Sequence, residues 1–327
     1  MQAVLCTTFG PPEQLQLTEV AQLQPAADQV VIAVKACGVN FPDTLIIEGK
    51  YQFQPPMPFS PGSDVAGIVT AIGIDVHDVK VGDRVLAFCG YGGYADEVVV
   101  PANAILPLPE SVEFIPAAAM LMPYATSYHA LKDRAQLQPG ETVLVLGAAG
   151  GVGLAAVQLA KAMGARVIAA ASSAAKLAVC QQYGADATIN YATEDLRTQL
   201  KSITKGKGVD VVYDPVGGAY TETALRSIAW GGRYLVVGFA AGDIPRIPLN
   251  IPLLKGCSIV GVFLGGLLQQ NPAASQRNLH ELVDWLAAGK ITPHIAATYP
   301  LAEAAKALNA VLAHEFAGKI VMVPEVH

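Results

Sequence analysis

VLVLGAAGGVGLAAVQLAKAMGARVIAAAS, the run from Val143 to Ser172, sets Gly147, Gly150, Gly151 and Gly153 between one apolar segment that reads as a strand and another that reads as a helix. Glycine is disfavoured inside either element, so the bare backbone must serve the turn itself. A parallel strand that turns straight into a helix brings the helix N-terminus to the carboxyl edge of its sheet. There the unpaired N–H groups and the positive end of the helix dipole hold a phosphate. A side chain at the turn would keep a pyrophosphate away, and one on the first helical turn would push helix from sheet. Gly150, Gly151, Val152 and Gly153 are therefore the candidate phosphate-holding turn, with Gly147 closing the strand. The spacing is G-x-x-G-x-x-G across Gly147, Gly150 and Gly153, not the more familiar G-x-G-x-x-G. Its weight comes from the strand before it and the helix after it. The competing explanation is a tightly packed turn with no ligand.

Outward from this turn, strand and helix alternate regularly. "TVLVLG", "ARVIAAA", "ATIN", "VDVVYD", "RYLVVGF" and "SIVGVFL" read as six strands. Between the first five lie the helical segments "GVGLAAVQLAKAMG", "AAKLAVCQQYG", "DLRTQLKSIT" and "YTETALRSIAWGG". The strands are continuously apolar, as expected where both faces are covered. This is an α/β pattern, a doubly wound parallel sheet of Rossmann type, over residues 122–265. Upstream, "QVVIAVKACGV", "SDVAGIVTAIG", "VGDRVLAF" and the two short strands about Pro101 predict a barrel-like β module. The Ala-rich segment from Val112 reads as helix in two pieces, divided by Pro116 and Pro123. The tail reads as helix, helix and the strand "GKIVMVP", which has no place in the six-stranded sheet and is expected to return to the first module. The expected domains are residues 1–121 with 266–327, and 122–265.

A length of 327 residues suits about two domains, and 52% hydrophobic against 15% charged residues excludes a disordered chain. The net charge of −6, with no Lys/Arg block, speaks against nucleic acid as a partner. No apolar run reaches the ~18 residues of a membrane span. "MQAVLCTTFG" lacks the form of a signal peptide and reads as a first strand. The five scattered cysteines read as free thiols in a reducing cytoplasm.

The identity of a bound dinucleotide is read at the end of the second strand. NAD sites place an Asp or Glu there for the ribose hydroxyl. Here the place holds "AAASSAAK". No carboxylate repels a 2′-phosphate, Ser172 and Ser173 can donate hydrogen bonds, and Lys176 can pair with its charge. NADPH is thus expected over NADH. The other reading is Ser173 as a helix cap beside a solvated Lys176.

"GVNFPDTLIIEGKY", "PGSDVAGIV", "VGDRV", "GAAGGVGLAAVQLAKAMGA", "DPVGG" and "GKIVMVP", in this order, resemble the zinc-free medium-chain dehydrogenases/reductases, specifically the quinone oxidoreductase (zeta-crystallin-like) branch. The resemblance covers nearly the whole chain. It implies a GroES-like β domain built from both ends of the chain, a Rossmann domain between, and a homodimer or homotetramer joined through the Rossmann domain. Zinc-dependent members carry a Cys ligand after "GV" and a later Gly-His-Glu. Here those places hold Asn40 and Gly62-Ser63-Asp64, whose amide and hydroxyl do not replace thiolate and imidazole. Without a Lewis acid to steady an alkoxide, reduction of an electron-poor acceptor is the expected chemistry: zinc-independent hydride transfer from NADPH to a quinone or enone.

The resemblance also assigns site residues. Asn40, Asp43 and Tyr51 match positions lining the family's substrate cleft. Asn40 would hydrogen-bond a substrate oxygen, and Tyr51 would stack on the substrate or donate to developing charge. Asp43 would orient its neighbours or serve only as a helix-start carboxylate. Thr126, Gly238, Phe239 and the run Val262, Phe263, Leu264 match the nicotinamide side. For Thr126 the alternative is an ordinary helix residue, and for "VFLGG" a hinge. Tyr191 matches a residue near the adenine phosphate, and Lys319 a further cofactor contact. An enoyl-thioester or enone reductase would use the same hydride geometry, and an NADPH-binding structural protein is the third alternative. A hydrolase is disfavoured, because no serine stands in G-x-S-x-G.

Overall fold

The computed structural model describes residues 1–324. The chain forms two compact units, one of residues 1–122 with the chain from Leu279 onward, the other Pro123–Asn278.

In the first unit β1 (Gln2–Leu5) pairs antiparallel with β2 (Gln16–Glu19). The long β3 (Gln29–Val39) organises a second sheet. After it come α1 (Phe41–Ile47), β4 (Asp64–Ile72), β5 (Arg84–Phe88), β6 (Glu97–Pro101), β7 (Ile105–Pro107) and α2 (Phe114–Tyr128), whose residues from Pro123 belong to the second unit. β4 runs along one edge of β3, and β5 and β7 extend the sheet beyond it. The other edge of β3 is shared: β6 takes residues 29–33, which leaves residues 37–39 for a later strand. β-Branched density makes this strand the centre of a core that includes Ile32, Val65, Val98 and Phe59.

The second unit alternates β8 (Thr142–Leu146), α3 (Gly151–Ala162), β9 (Arg166–Ala171), α4 (Ala174–Gln182), β10 (Ala187–Asn190), α5 (Leu196–Ile203), β11 (Val209–Asp214), α6 (Tyr220–Arg226), β12 (Ile228–Val236), α7 (Asn250–Lys255) and β13 (Ser258–Gly261), followed by α8 (Leu264–Gln270) and α9 (Pro272–Ala287). The six strands are all parallel in the order β10-β9-β8-β11-β12-β13. Strand order reverses between β8 and β11, so their carboxyl ends form the switch point where α/β folds bind ligands. The chain then returns to the first unit with β14 (Ile295–Tyr299), α10 (Ala304–Leu312) and β15 (Lys319–Met322). β15 lies antiparallel on the vacant half of β3, as the extra terminal strand required.

Four features depart from the sequence reading. Pro123 lies inside α2, which runs through it as one helix. Pro123 has no N–H to give the preceding turn, yet Ala119 and Tyr124 on either side are buried, so packing outweighs the lost bond. The helix expected over "YTETALRSIAWGG" stops at Arg226. Ile228 instead pairs with Val209 on β11, and Gly231 adopts φ +74°, a left-handed conformation that suits glycine, before the strand resumes. The sixth strand ends at Gly261, leaving Val262 to Leu264 beyond it. The return to the first unit comes at Leu279, later than 266, because α8 and the start of α9 belong to the second unit. Residues 325–327, at the end of the expected range, lie outside the described residues. The strand β14 was not read from the sequence.

Candidate functional site

In the second unit the candidate turn opens α3 at the carboxyl end of β8. Gly147 takes φ +56°, and a Cβ there would lie 2.7 Å from Val216 Cγ2. A Cβ on Gly153 would lie 2.2 Å from the Gly147 carbonyl oxygen, so helix and strand touch backbone to backbone. Gly150 differs. It caps α3 with an ordinary φ of −73°, is exposed, and a Cβ would meet nothing nearer than 3.4 Å. The fold itself does not require a glycine at 150. Among the described residues none accepts a hydrogen bond from the N–H groups of Gly151, Val152 or Gly153. These are the orphan donors of a helix start, aimed outward where the dipole is positive.

Two groups missed by the sequence reading hold this turn. Ser127 Oγ donates to the Val152 carbonyl at 2.9 Å and lies 2.8 Å from Tyr213 Oη at the end of β11. Asp214 closes β11 and accepts from Val216 N, Gly217 N, Thr221 Oγ1 and Tyr234 Oη. With four donors on one buried carboxylate, the loop that carries Val216 against Gly147 is fixed. The acid ending "VVYD" and the glycines after it were the available signal.

One strand away, β9 ends at Ala171. Ser172 is exposed, and Ser173 caps α4, its Oγ accepting from Lys176 N at 3.3 Å. The cap reading of Ser173 is therefore correct, and its hydroxyl hydrogen is still free to point elsewhere. Tyr191 follows β10, and its N–H donates to the Ala171 carbonyl, which sets it beside Ser172. Its ring stacks at 4.4 Å on Tyr220. Ser172, Ser173, Lys176 and Tyr191 thus gather at the β9–β10 end of the carboxyl edge, with no carboxylate on the β9 tip. Gly238 and Phe239 follow β12, with Gly238 N donating to the Asp214 carbonyl, and Val262 N donates to Val236. Phe263 is exposed, Leu264 opens α8, and Thr126 is a part-exposed residue of α2 beside Ser127.

The first unit holds a buried polar cluster. The β15 register sets Val39 opposite Ile320, so Lys319 comes opposite Asn40. Lys319 Nζ donates to the Val39 carbonyl and, at 2.6 Å, to Asn40 Oδ1. Asn40 Nδ2 donates to Asp64 Oδ2 at 2.9 Å and to the Gly38 carbonyl at 3.3 Å. Asp64 also accepts from Ser63 Oγ and Met122 N. Asn40 N–H donates to Asp43 Oδ2 at 2.7 Å, and Tyr94 Oη donates to the same oxygen at 3.0 Å.

Both amide hydrogens of Asn40 are already bonded inside the unit, so Asn40 has no donor left for a substrate oxygen. Lys319 is buried and spends its ammonium on Val39 and Asn40, so it positions Asn40. Burial pushes Asp43 up to about 7 and raises Asp64, while it lowers Lys319. Tyr51 is half-buried against the same core, its hydroxyl raised by burial and then by the charge of Asp43. Cys37 is fully buried with its thiol held protonated, which removes it as a nucleophile.

Residues 26–110 match the family model described as "Alcohol dehydrogenase GroES-like domain", and residues 151–288 that described as "Zinc-binding dehydrogenase". A zinc ion does not fit the residues present. Asn40, Ser63 and Asp64 are bonded to one another, and among the described residues no three His, Cys, Asp or Glu side chains gather as a ligand set. The chain is 40% identical to a quinone oxidoreductase-like protein 2 homolog of Nematostella vectensis, over 98% of this chain and 88% of that one. It is 38% identical to the quinone oxidoreductase of Rattus norvegicus, over 94% and 92%. The crystal structure of Escherichia coli quinone oxidoreductase complexed with NADPH matches with a TM-score of 0.92 at 33% identity, covering 99% and 100%. Architecture, glycine turn and sequence agree that the chain belongs to the medium-chain dehydrogenase/reductase family, in its quinone oxidoreductase branch.

Proposed function

We propose that the protein is an NADPH-dependent, zinc-independent oxidoreductase that reduces a quinone or a similar conjugated carbonyl. The observation that carries this reading is the pairing of an exposed, fold-dispensable glycine at 150 with a β9 tip of hydroxyls and an ammonium. The bare first turn of α3 holds a pyrophosphate through the N–H groups of Gly151, Val152 and Gly153. Ser172, Ser173, Lys176 and Tyr191 hold a 2′-phosphate, Lys176 supplying the charge. Thr126, Gly238, Phe239, Val262, Phe263 and Leu264 flank the nicotinamide end. NADPH supplies the hydride when bound. The chain's own part is to fix the donor, exclude water and present the acceptor within near-attack distance. Asp214 and Ser127 keep the glycine turn rigid, and Lys319 and Asp64 keep Asn40 in one orientation.

The same reading includes a homodimer. β13 is the outer strand of its sheet, with one edge unpaired among the described residues. Around it Trp230, Leu249, Leu253, Leu254 and Ile259 are exposed, Trp230 to 80% and Leu253 to 78%. An edge strand amid so much apolar surface is suited to a second copy of itself. Among the described residues no helix is long and apolar enough to cross a membrane.

The deciding experiment measures NADPH and NADH affinity by calorimetry, then NADPH oxidation with quinones, enones and enoyl-CoA thioesters. Tight NADPH binding with fastest turnover of quinones is expected. Preference for NADH overturns the cofactor assignment, and fastest turnover of an enoyl-CoA makes the protein an enoyl reductase.

A further inference from the structure

Tyr220 opens α6 in the second unit, and a buried carboxylate holds it there. Asp214 Oδ2 accepts from Thr221 Oγ1 at 3.0 Å, while its Oδ1 accepts from Val216 N at 2.8 Å and Gly217 N at 2.9 Å. Thr221 is itself buried, so the first turn of α6 shifts only by breaking that bond. Val216, Tyr220 and Tyr191 all pack on the core of this unit. The Tyr220 ring lies 4.4 Å from that of Tyr191, inclined by 37°.

Tyr191 has its backbone fixed and its hydroxyl open. Its N–H donates to the Ala171 carbonyl at 3.2 Å, which sets it beside Ser172. Its hydroxyl bonds to nothing among the described residues. That oxygen is not shut away, because among the described residues Arg84 Nε is the one buried side-chain N or O without a partner. Burial, and then the neighbouring Tyr220, raise the Tyr191 hydroxyl above its ordinary value, so it keeps a proton to donate. With no hydrogen bond of its own, the hydroxyl stands where the ring contacts put it, and Tyr220 supplies the aromatic one.

We propose that Tyr220 is a positioning residue for coenzyme choice: its ring walls Tyr191 so that the Tyr191 hydroxyl stands as a donor to the 2′-phosphate of NADPH. The inference rests on the coenzyme reading given above. A phenol donating to a phosphate oxygen makes a charge-assisted bond, which NADH, with a neutral hydroxyl in that place, does not offer. Tyr220 itself does not meet the phosphate, so its own hydroxyl is dispensable. Asp214 stands behind both parts of the site. Through Val216 it sets the loop against Gly147, and through Thr221 it sets Tyr220 against Tyr191. One carboxylate thus supports the glycine turn, which both coenzymes use, and the tyrosine pair, which only the phosphorylated coenzyme uses.

The test measures the affinity of the full-length protein and its variants for NADPH, NADH and adenosine 2′,5′-bisphosphate by calorimetry. Tyr191→Phe keeps the ring stack, and should weaken NADPH and the bisphosphate about tenfold while NADH stays within about twofold. Tyr220→Leu and Tyr220→Gln, an apolar and a polar replacement for the half-buried ring, should each do the same. Tyr220→Phe should bind all three as wild type does, because the ring acts and its hydroxyl does not. In the double variant Tyr191→Phe with Tyr220→Leu the losses should not add, since Tyr220 then has no hydroxyl left to place. Additive losses, a Tyr220→Leu that weakens NADPH and NADH alike or neither, or unchanged NADPH affinity in Tyr191→Phe overturns this inference alone. A wild type that binds NADH as tightly as NADPH overturns the coenzyme reading, and with it the use of the tyrosine pair.

Discussion

The Gly147 carbonyl oxygen lies 2.2 Å from where a Cβ on Gly153 would stand, so strand β8 and helix α3 meet with no room for a single methyl group. Gly150, three residues earlier, has that room. The two glycines therefore differ in what the packing asks of them. Gly153→Ala should destabilise the protein by about 1–3 kcal/mol or more, through overpacking against backbone. Gly150→Val should lower the melting temperature much less than Gly153→Ala, through the lost glycine N-cap alone, and weaken NADPH binding at least ~10-fold, by holding the pyrophosphate off the N–H groups. Calorimetry and thermal unfolding on both variants check the pair.

The β9 tip should set coenzyme choice. Ser172→Asp puts a carboxylate beside the place of a 2′-phosphate, and should turn the NADPH:NADH affinity ratio toward NADH by about 10- to 100-fold. Lys176→Ala should weaken NADPH several-fold and leave NADH unaffected. Titration of intrinsic fluorescence with each coenzyme gives both ratios.

Lys319→Met should be among the most damaging substitutions distant from the glycine turn. It removes the sole ammonium of the buried cluster and leaves Asn40 Oδ1 without its donor. Breaking a buried charged set from one side costs about 3–5 kcal/mol. Urea unfolding should show the loss as a lower midpoint with the slope retained.

Stability should fall as pH rises toward neutrality. The Asp43 carboxyl is raised from its ordinary value near 4 to about 7. Between these values the folded protein keeps a proton that the unfolded chain has released, so the contribution is complete below about pH 4 and gone above about pH 7. A three-unit shift corresponds to on the order of 4 kcal/mol. Asp43→Asn should remove this slope, and unfolding free energies at a series of pH values for both proteins give the difference.

Leu253→Arg should prevent the proposed homodimer from forming. It sets a charge amid the exposed apolar residues beside β13 without touching the core. Sedimentation reads the change in mass.

The sequence carried the parallel sheet well, because strands covered on both faces are continuous apolar runs and the helices between them end in glycine. It carried the glycine turn for the same reason. It did not reveal which glycine serves packing and which serves a ligand, because that depends on Val216, brought up by a loop that Asp214 pins nearly seventy residues downstream of Gly147. Ser172 and Lys176 were placed from the sequence at the tip of β9 because they stand next to their strand. The Asn40 cluster was not read. Its bonds come from Asp64, Met122 and Lys319, each on a different element, and only the β3–β15 register reveals that Lys319 meets Asn40. The helices at Pro123 and Trp230 failed where tertiary packing outweighed local preference.

The position of β15 along the chain imposes an order on biosynthesis. The whole second unit leaves the ribosome as one continuous segment before Lys319 is translated, so it can mature while the N-terminal unit still lacks a strand. Until β15 arrives, half of one β3 edge is bare and Asp64 has no cation in its neighbourhood. A nascent chain stalled before residue 319 is therefore a natural client for chaperones that shield open sheet edges.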